Sequence, residues 1–159
     1  MASIDTHLKL AGVDAEATHK DHKGEIEILS WTWGVANDST GAGGGSGKGK
    51  ATPGDFHFTH LYDKGSPVLA KYCASGKHFA DATLTARKAG EGQKDFLVVK
   101  FKEVFIKSVQ PSGSSGGDIV ESITMSYKQI DFAYKAQDEK GGLTGEVKFG
   151  WNNATTEIT

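Results

Sequence analysis

The chain has 159 residues, 37% of them hydrophobic, and a formal net charge of -2. That length suits one globular domain spanning 1–159, and the near-neutral charge gives no electrostatic footprint for nucleic acid or an anionic membrane surface. No run approaches the ~20 apolar residues of a membrane span, and a single cysteine, Cys73, excludes an internal disulfide framework.

The amino terminus, MASIDTHLKLAG, puts Asp5, His7 and Lys9 where a signal peptide needs its apolar run. The chain is therefore expected to be made in the cytoplasm and, if exported, to leave without a cleaved signal peptide. Period-2 alternation begins in HLKLAGV (7–13) and resumes in EIEILSWTWGV (25–35), which reads as a strand. Trp31 and Trp33 share a parity with Leu29 and Val35, which points to core packing or a subunit interface for that face. This strand empties into an extended glycine-rich loop over 36–53, with six glycines among the nine residues 41–49. A loop of that length and composition carries function or is ordered by something outside the subunit.

DFHFTHLY (55–62) reads as the next strand, and a helix is predicted over about 66–76. Ser66 and Pro67 supply an N-cap followed by a first-turn proline, Gly76 a terminator, and Leu69, Tyr72 and Cys73 an apolar stripe. DATLTARKA (81–89) and GEVKFGW (145–151) are further strands. Two runs, 95–109 and 118–136, exceed ordinary strand length and change apolar phase halfway. Each is read as one strand bent at a β-bulge and shared between two sheets; the rival, two strands joined by a tight turn, finds no Gly, Pro, Asn or Asp at either change of phase. The fold class expected is mostly β, a two-sheet β-barrel or sandwich with one short flanking α-helix. Any barrel edge left open must be capped, charged or paired with a neighbour.

The motifs that suggest chemistry fail on context. Gly44 to Lys50 matches G-x-x-x-x-G-K, but Ala51 stands where magnesium needs a hydroxyl, and a strand follows where a phosphate-binding helix is required. Gly113 to Gly117 matches G-x-S-x-G, yet it joins two strands rather than a strand and a helix. His57 and His60 are three apart on a strand and face opposite ways, while His19 and His22 lie in a polar turn and read as solvated. Glu25, Glu27, Lys100, Lys102 and Glu103 read as a solvated face. No catalytic residue, metal or cofactor is therefore assigned.

GEIEILSWTWG with its glycine-rich loop, then DFHFTHLYDKGSPVLAKYCASGKHFADATLTARKAG, then ESITMSYKQIDFAY and VKFGWN, resembles the haemolysin-coregulated protein (Hcp) family of bacterial type VI secretion systems. The resemblance runs from about Ile4 to Asn153. It implies a tail-tube subunit that is not an enzyme: a two-sheet barrel with a flanking helix, six copies closing into a ring with a central channel. The partners implied are stacked rings of the same chain, a spike protein, a contractile sheath and effector proteins carried in the channel. It also implies export through the type VI apparatus, and no enzymatic extension is expected after Thr159. By the same resemblance, Gly41, Gly43, Gly44, Gly45, Ser46, Gly47 and Lys48 belong to a loop that contacts a neighbouring subunit or ring. Thr32, Ser114 and Ser115 become channel-facing candidates, and Leu69 and Tyr72 are expected to pack on the barrel.

Two other classes of function remain open at this point. A monomeric β-sandwich ligand-binding module predicts exposed tryptophans around a concave pocket. A small hydrolase predicts a nucleophile at Ser114 or Ser115, although no His–Asp partnership is recognisable.

Overall fold

The computed structural model describes residues 3–38, 50–89, 94–137 and 142–159. Along the chain run β1 (Ile4–Leu10), β2 (Ile26–Thr32), β3 (Val35–Asp38), β4 (Lys50–Pro53), β5 (Phe56–Leu61), α1 (Ser66–Ser75), β6 (His78–Lys88), β7 (Asp95–Ser112), β8 (Val120–Ser126), β9 (Gln129–Gln137) and β10 (Leu143–Asn152). One eight-stranded sheet has the order β10-β9-β7-β6-β1-β2-β5-β8, and an additional β7–β8 pairing closes its last six strands into a barrel. β9 and β10 extend from β7 as a wing, and β3 with β4 forms a separate ribbon. The mostly-β barrel with one flanking helix is the fold that the alternation predicts.

The core is mainly aliphatic, with phenylalanines at its centre. Phe56, Phe58, Phe79 and Phe101 are at most 2% exposed, alongside Leu8, Leu84, Ile106, Ile123 and Met125. Phe56 meets Phe101 edge-on at 4.9 Å, the aromatic geometry favoured by the ring quadrupole. Full burial of one such side chain contributes about 1.5–3 kcal/mol, and the packed interior decides which face of each strand turns inward.

β7 is one continuous strand of 18 residues, as the bent-strand reading requires. Val99 and Phe101 are buried, then Val104 and Ile106, and Glu103 at the change of phase has φ of +53°. The second long run departs from expectation: it is two elements, β8 and β9, interrupted at Tyr127 and Lys128. Both halves pair antiparallel to β7, β8 with its carboxyl-terminal half and β9 with its amino-terminal half. The interruption lies opposite the bend of β7 at Glu103, whereas β6 on the other side pairs across that bend unbroken.

β2 also differs from expectation. Its pairing with β5 shifts register between Ile28 and Ser30, so Ile26 and Ile28 point inward before the shift and Trp31 after it. Leu29 and Val35 are consequently exposed, at 56% and 50%, while Trp31 and Trp33 pack against the core. The four do not share a face: the one-residue slip separates Leu29 from Trp31, and Val35 stands on the separate β3–β4 ribbon, off the barrel. The 36–53 loop is likewise shorter than expected: Val35↔Pro53 through Asp38↔Lys50 are paired backbone.

α1 ends at Gly76 in the left-handed region (φ 70°), and Leu69, Tyr72 and Cys73 pack on the barrel core as anticipated. Its N-cap is Gly65 rather than Ser66. Ser66 instead lies inside the first turn, its Oγ accepting a hydrogen bond from the Asp63 amide at 3.1 Å. Asp63 Oδ1 in turn accepts from the Gly65 amide at 2.9 Å, so an aspartate turn starts the helix.

Candidate assembly surfaces

Three features outside the core bring polar chemistry together. The first is the outward face of β2, β5, β8 and the carboxyl-terminal half of β7. Directly paired residues share a face, so the registers Thr32↔His57, His57↔Thr124 and Ser108↔Thr124 place these four side chains in one row. Ser30↔Thr59, Thr59↔Ser122 and Gln110↔Ser122 form the next row. Hydroxyls bridge the strands: Ser30 Oγ and Thr59 Oγ1 are 2.6 Å apart, and His57 Nδ1 and Thr124 Oγ1 2.9 Å. At the margin Lys107 Nζ donates to Asp55 Oδ2 at 2.7 Å. The opposite face of the same strands carries Trp31, Phe58, Ile123 and Met125 into the core.

This patch of sheet has two free sides among the described residues. β1 pairs with β2 only at Glu27 and Ile26, leaving Ser30 to Thr32 bonded to β5 alone. β6 pairs with β7 no further than Phe105, leaving Ile106 to Ser112 bonded to β8 alone. The four strands therefore present one unpaired edge at β2 and another at β7, on opposite sides.

Thr32 is exposed and stands in the first of these rows. Ser114 and Ser115 lie in the β7–β8 turn beyond Ser112↔Val120. Thr124 and Val120 are four residues apart, roughly 13 Å of strand, so the turn serines are not brought to Thr32. Sequence reading missed Ser30, His57, Thr59, Ser122 and Thr124; the Ser122-x-Thr124-x-Ser126 alternation is the signal that could have found them. The loop candidates Gly41, Gly43, Gly44, Gly45, Ser46, Gly47 and Lys48 lie outside the described residues.

The second feature is the root of the β3–β4 ribbon, where Trp33 Nε1 donates to Tyr127 Oη at 2.6 Å and Tyr127 Oη donates to the Gly54 carbonyl at 2.8 Å. Burial pushes the Tyr127 phenol upward from its usual range, partly offset by the Trp33 hydrogen bond, so the donor stays protonated.

The third is a histidine stack. His7 and His22 lie parallel at 4.7 Å between ring centres, with His19 at 5.7 Å from each. His22 is 6% exposed and not solvated, contrary to the turn reading. Its Nδ1 lies 3.0 Å from Glu25 and its Nε2 3.3 Å from Asp95, and Arg87 Nε donates to Asp95 at 2.8 Å. Glu25 thereby leaves the solvated set to which sequence assigned it, because the turn folds back over β1 and β6. Glu27, Lys100, Lys102 and Glu103 are exposed as expected.

Burial holds His7 below the usual histidine range, and His22 beside it acts in the same direction, while Glu25 and Glu27 oppose. A folded-state value below the unfolded one means that the unfolded chain binds more protons as pH falls below about 6.5. Stability is therefore expected to decline on acidification from neutral pH toward pH 5, with the loss growing until His7 titrates in the folded state. Urea midpoints across that range should fall for the natural chain and fall less for His7→Gln. Equal slopes for the two would refute the assignment.

None of the three tryptophans is exposed: Trp31 and Trp33 are half-buried and Trp151 is 7% exposed. The exposed tryptophans that the ligand-binding-module reading predicts are therefore not seen.

Similarity then decides the family. The model for "Type VI secretion system effector, Hcp" matches residues 7–134. The chain belongs to the Hcp family.

The Hcp relatives extend over nearly the whole chain. Protein hcp1 of Pseudomonas aeruginosa is 40% identical over 154 residues, covering 94% of this chain and 95% of that protein. A solved type six secretion system protein superposes with a TM-score of 0.92 at 31% identity, over 99% of this chain and 100% of that one. The crystal structure of Hcp1 from Salmonella typhimurium gives 0.82 at 35% identity, over 100% of both chains. Hcp proteins are secreted subunits of the type VI secretion tube and assemble with copies of themselves. Among the described residues, no helix is long and apolar enough to cross a membrane.

Proposed function

We propose that residues 1–159 act as one tube domain, and that six copies close head to tail into a ring through the outer edges of β2 and β7. The observation that carries this reading is the four-stranded patch with a hydroxyl-rich outer face and one free edge on each side. A strand edge offers unpaired amides and carbonyls that a second copy can satisfy. Two different edges on opposite sides make a heterologous contact, which closes into a ring when its rotation closes. The Thr32, His57 and Thr124 row then faces the channel, and Ser114 and Ser115 stand at one of its mouths.

On this reading, rings stack through the β3–β4 ribbon and the glycine-rich segment, Gly41 to Lys48 included. Spike protein, sheath and effectors are the further partners. The chain is made in the cytoplasm, leaves through the type VI apparatus without a cleaved signal peptide, and has no catalytic duty of its own. Negative-stain images and light scattering of the purified protein test it: rings are expected at high micromolar concentration, and strictly monomeric particles would sink the proposal.

Deleting 41–50 separates the arm from the ring. The barrel should remain folded and ring-forming, since a glycine-rich loop costs entropy on ordering, while stacked tubes should shorten or vanish. Tubes of undiminished length would remove the arm from stacking.

A further inference from the structure

We infer that Tyr127 is the positioning residue of the β3–β4 arm, its phenol oxygen pinning together the incoming and outgoing chains where the arm leaves the barrel. β2 with β3 and β4 with β5 trace one long hairpin that is interrupted at its waist. Thr32↔His57 is the last pair on the barrel side and Val35↔Pro53 the first on the arm side. Trp33 and Gly34 span that gap on one chain, whereas Gly54, Asp55 and Phe56 span it on the other. The two chains are thus out of step, and ladder bonds cannot set the angle of the arm. Among the described residues, Gly54 N–H donating to the Gly34 carbonyl at 2.8 Å is the one backbone link across the waist.

Tyr127 supplies what the ladder lacks. Its Oη accepts from Trp33 Nε1 at 2.6 Å and donates to the Gly54 carbonyl at 2.8 Å. One oxygen therefore holds the last side chain before β3 and the first carbonyl after β4. The Trp33 ring packs against Phe132 at 4.9 Å, fixing the indole from the wing side. Tyr127 is itself immobilised: it is 5% exposed, and its carbonyl accepts from Asn153 Nδ2 at 2.7 Å. It also sits in the break between β8 and β9, beside Lys128 N–H donating to the Lys102 carbonyl at 2.9 Å. A phenylalanine would fill the same space but make neither bond, so the hydroxyl serves geometry rather than packing.

The consequence for stacking rests on the proposed role of the arm, and the test keeps the two apart. A nitroxide is attached at Ala36→Cys, an exposed arm position, in a Cys73→Ala background, and its spectrum is compared with Tyr127→Phe and with Trp33→Phe. The second variant removes the N–H while keeping an aromatic ring, so the pin stays testable if one variant folds poorly. Expected are folded barrels by circular dichroism, rings in undiminished proportion, and a more mobile, broadened distribution for the arm label. Label spectra that match the natural chain in both variants would overturn the pin. Tube length is read separately: several-fold shorter tubes in Tyr127→Phe support the pin acting in stacking. Unchanged tubes after deletion of 41–50 would refute the stacking role of the arm and leave the label result to judge the pin alone.

Discussion

Replacing Glu121 by Ala is expected to cost roughly 1–3 kcal/mol of folding free energy, the penalty for leaving a buried hydrogen-bonding group without its partner. Glu121 and His60 are each 1% exposed, with His60 Nε2 2.8 Å from Glu121 Oε1. They occupy the inward row of β5 and β8, paired directly across the ladder. The other ring nitrogen, His60 Nδ1, has no hydrogen-bond partner among the described residues, and a carboxylate oxygen of Asp63 is 3.9 Å away. Removing Glu121 strands the imidazole in a low-dielectric interior and leaves a cavity beside it. Domains of this size are stable by only about 5–15 kcal/mol, so a large share of the total is at stake. The pair is not indispensable, however. Replacing both partners with apolar groups, His60→Phe with Glu121→Leu, should recover most of the loss, because no buried polar group is then left unpaired. Urea denaturation of the two single variants and the double variant closes the cycle. Single-variant losses under about 1 kcal/mol, the size of an exposed pair, would contradict the burial argument.

Leu29→Asp should abolish ring assembly while leaving the monomer nearly as stable as before. Leu29 is 56% exposed at the register shift of β2, so its loss removes little folded-state burial. Exposed substitutions of this kind stay within about 0.5 kcal/mol. Leu29 lines a cleft with Leu61, Tyr62, Glu16, Glu27 and Asp63, beside the free edge of β2. In the ring proposed above a neighbour at that edge covers Leu29, and a carboxylate there would be desolvated next to three others. Size-exclusion chromatography with light scattering should show monomers for Leu29→Asp and rings for the conservative Leu29→Met. Rings of Leu29→Asp at the concentration that suffices for the natural chain would move the interface away from β2.

Legibility followed the range of the forces involved. Strand alternation in DFHFTHL, the Gly76 stop and the Leu69, Tyr72 and Cys73 stripe are local matters, set by pleat geometry, chirality and helical spacing. They were readable without a partner. The Ser66 cap was misread because Asp63, three residues earlier, starts the turn through its own carboxylate. Leu29 was misread because the bulge that flips β2 exists only in relation to β5, and Val35 because it stands on the β3–β4 ribbon, off the barrel. His22 was misread because Asp95, more than seventy residues away, comes to lie against its ring.

The same division holds for function. Family membership and the absence of a recognisable catalytic constellation are written in segment order and residue type, since SWTWG, SPVLAKYCASGKH and GWN retain their spacing whatever the neighbours do. The hydroxyl rows, the two free edges and the Tyr127 pin are not. Strand pairing alone decides which residues stand opposite one another, and closure of the barrel decides which edges stay unsatisfied. Those are non-local consequences of burying Phe56, Phe58 and Phe101 in one core.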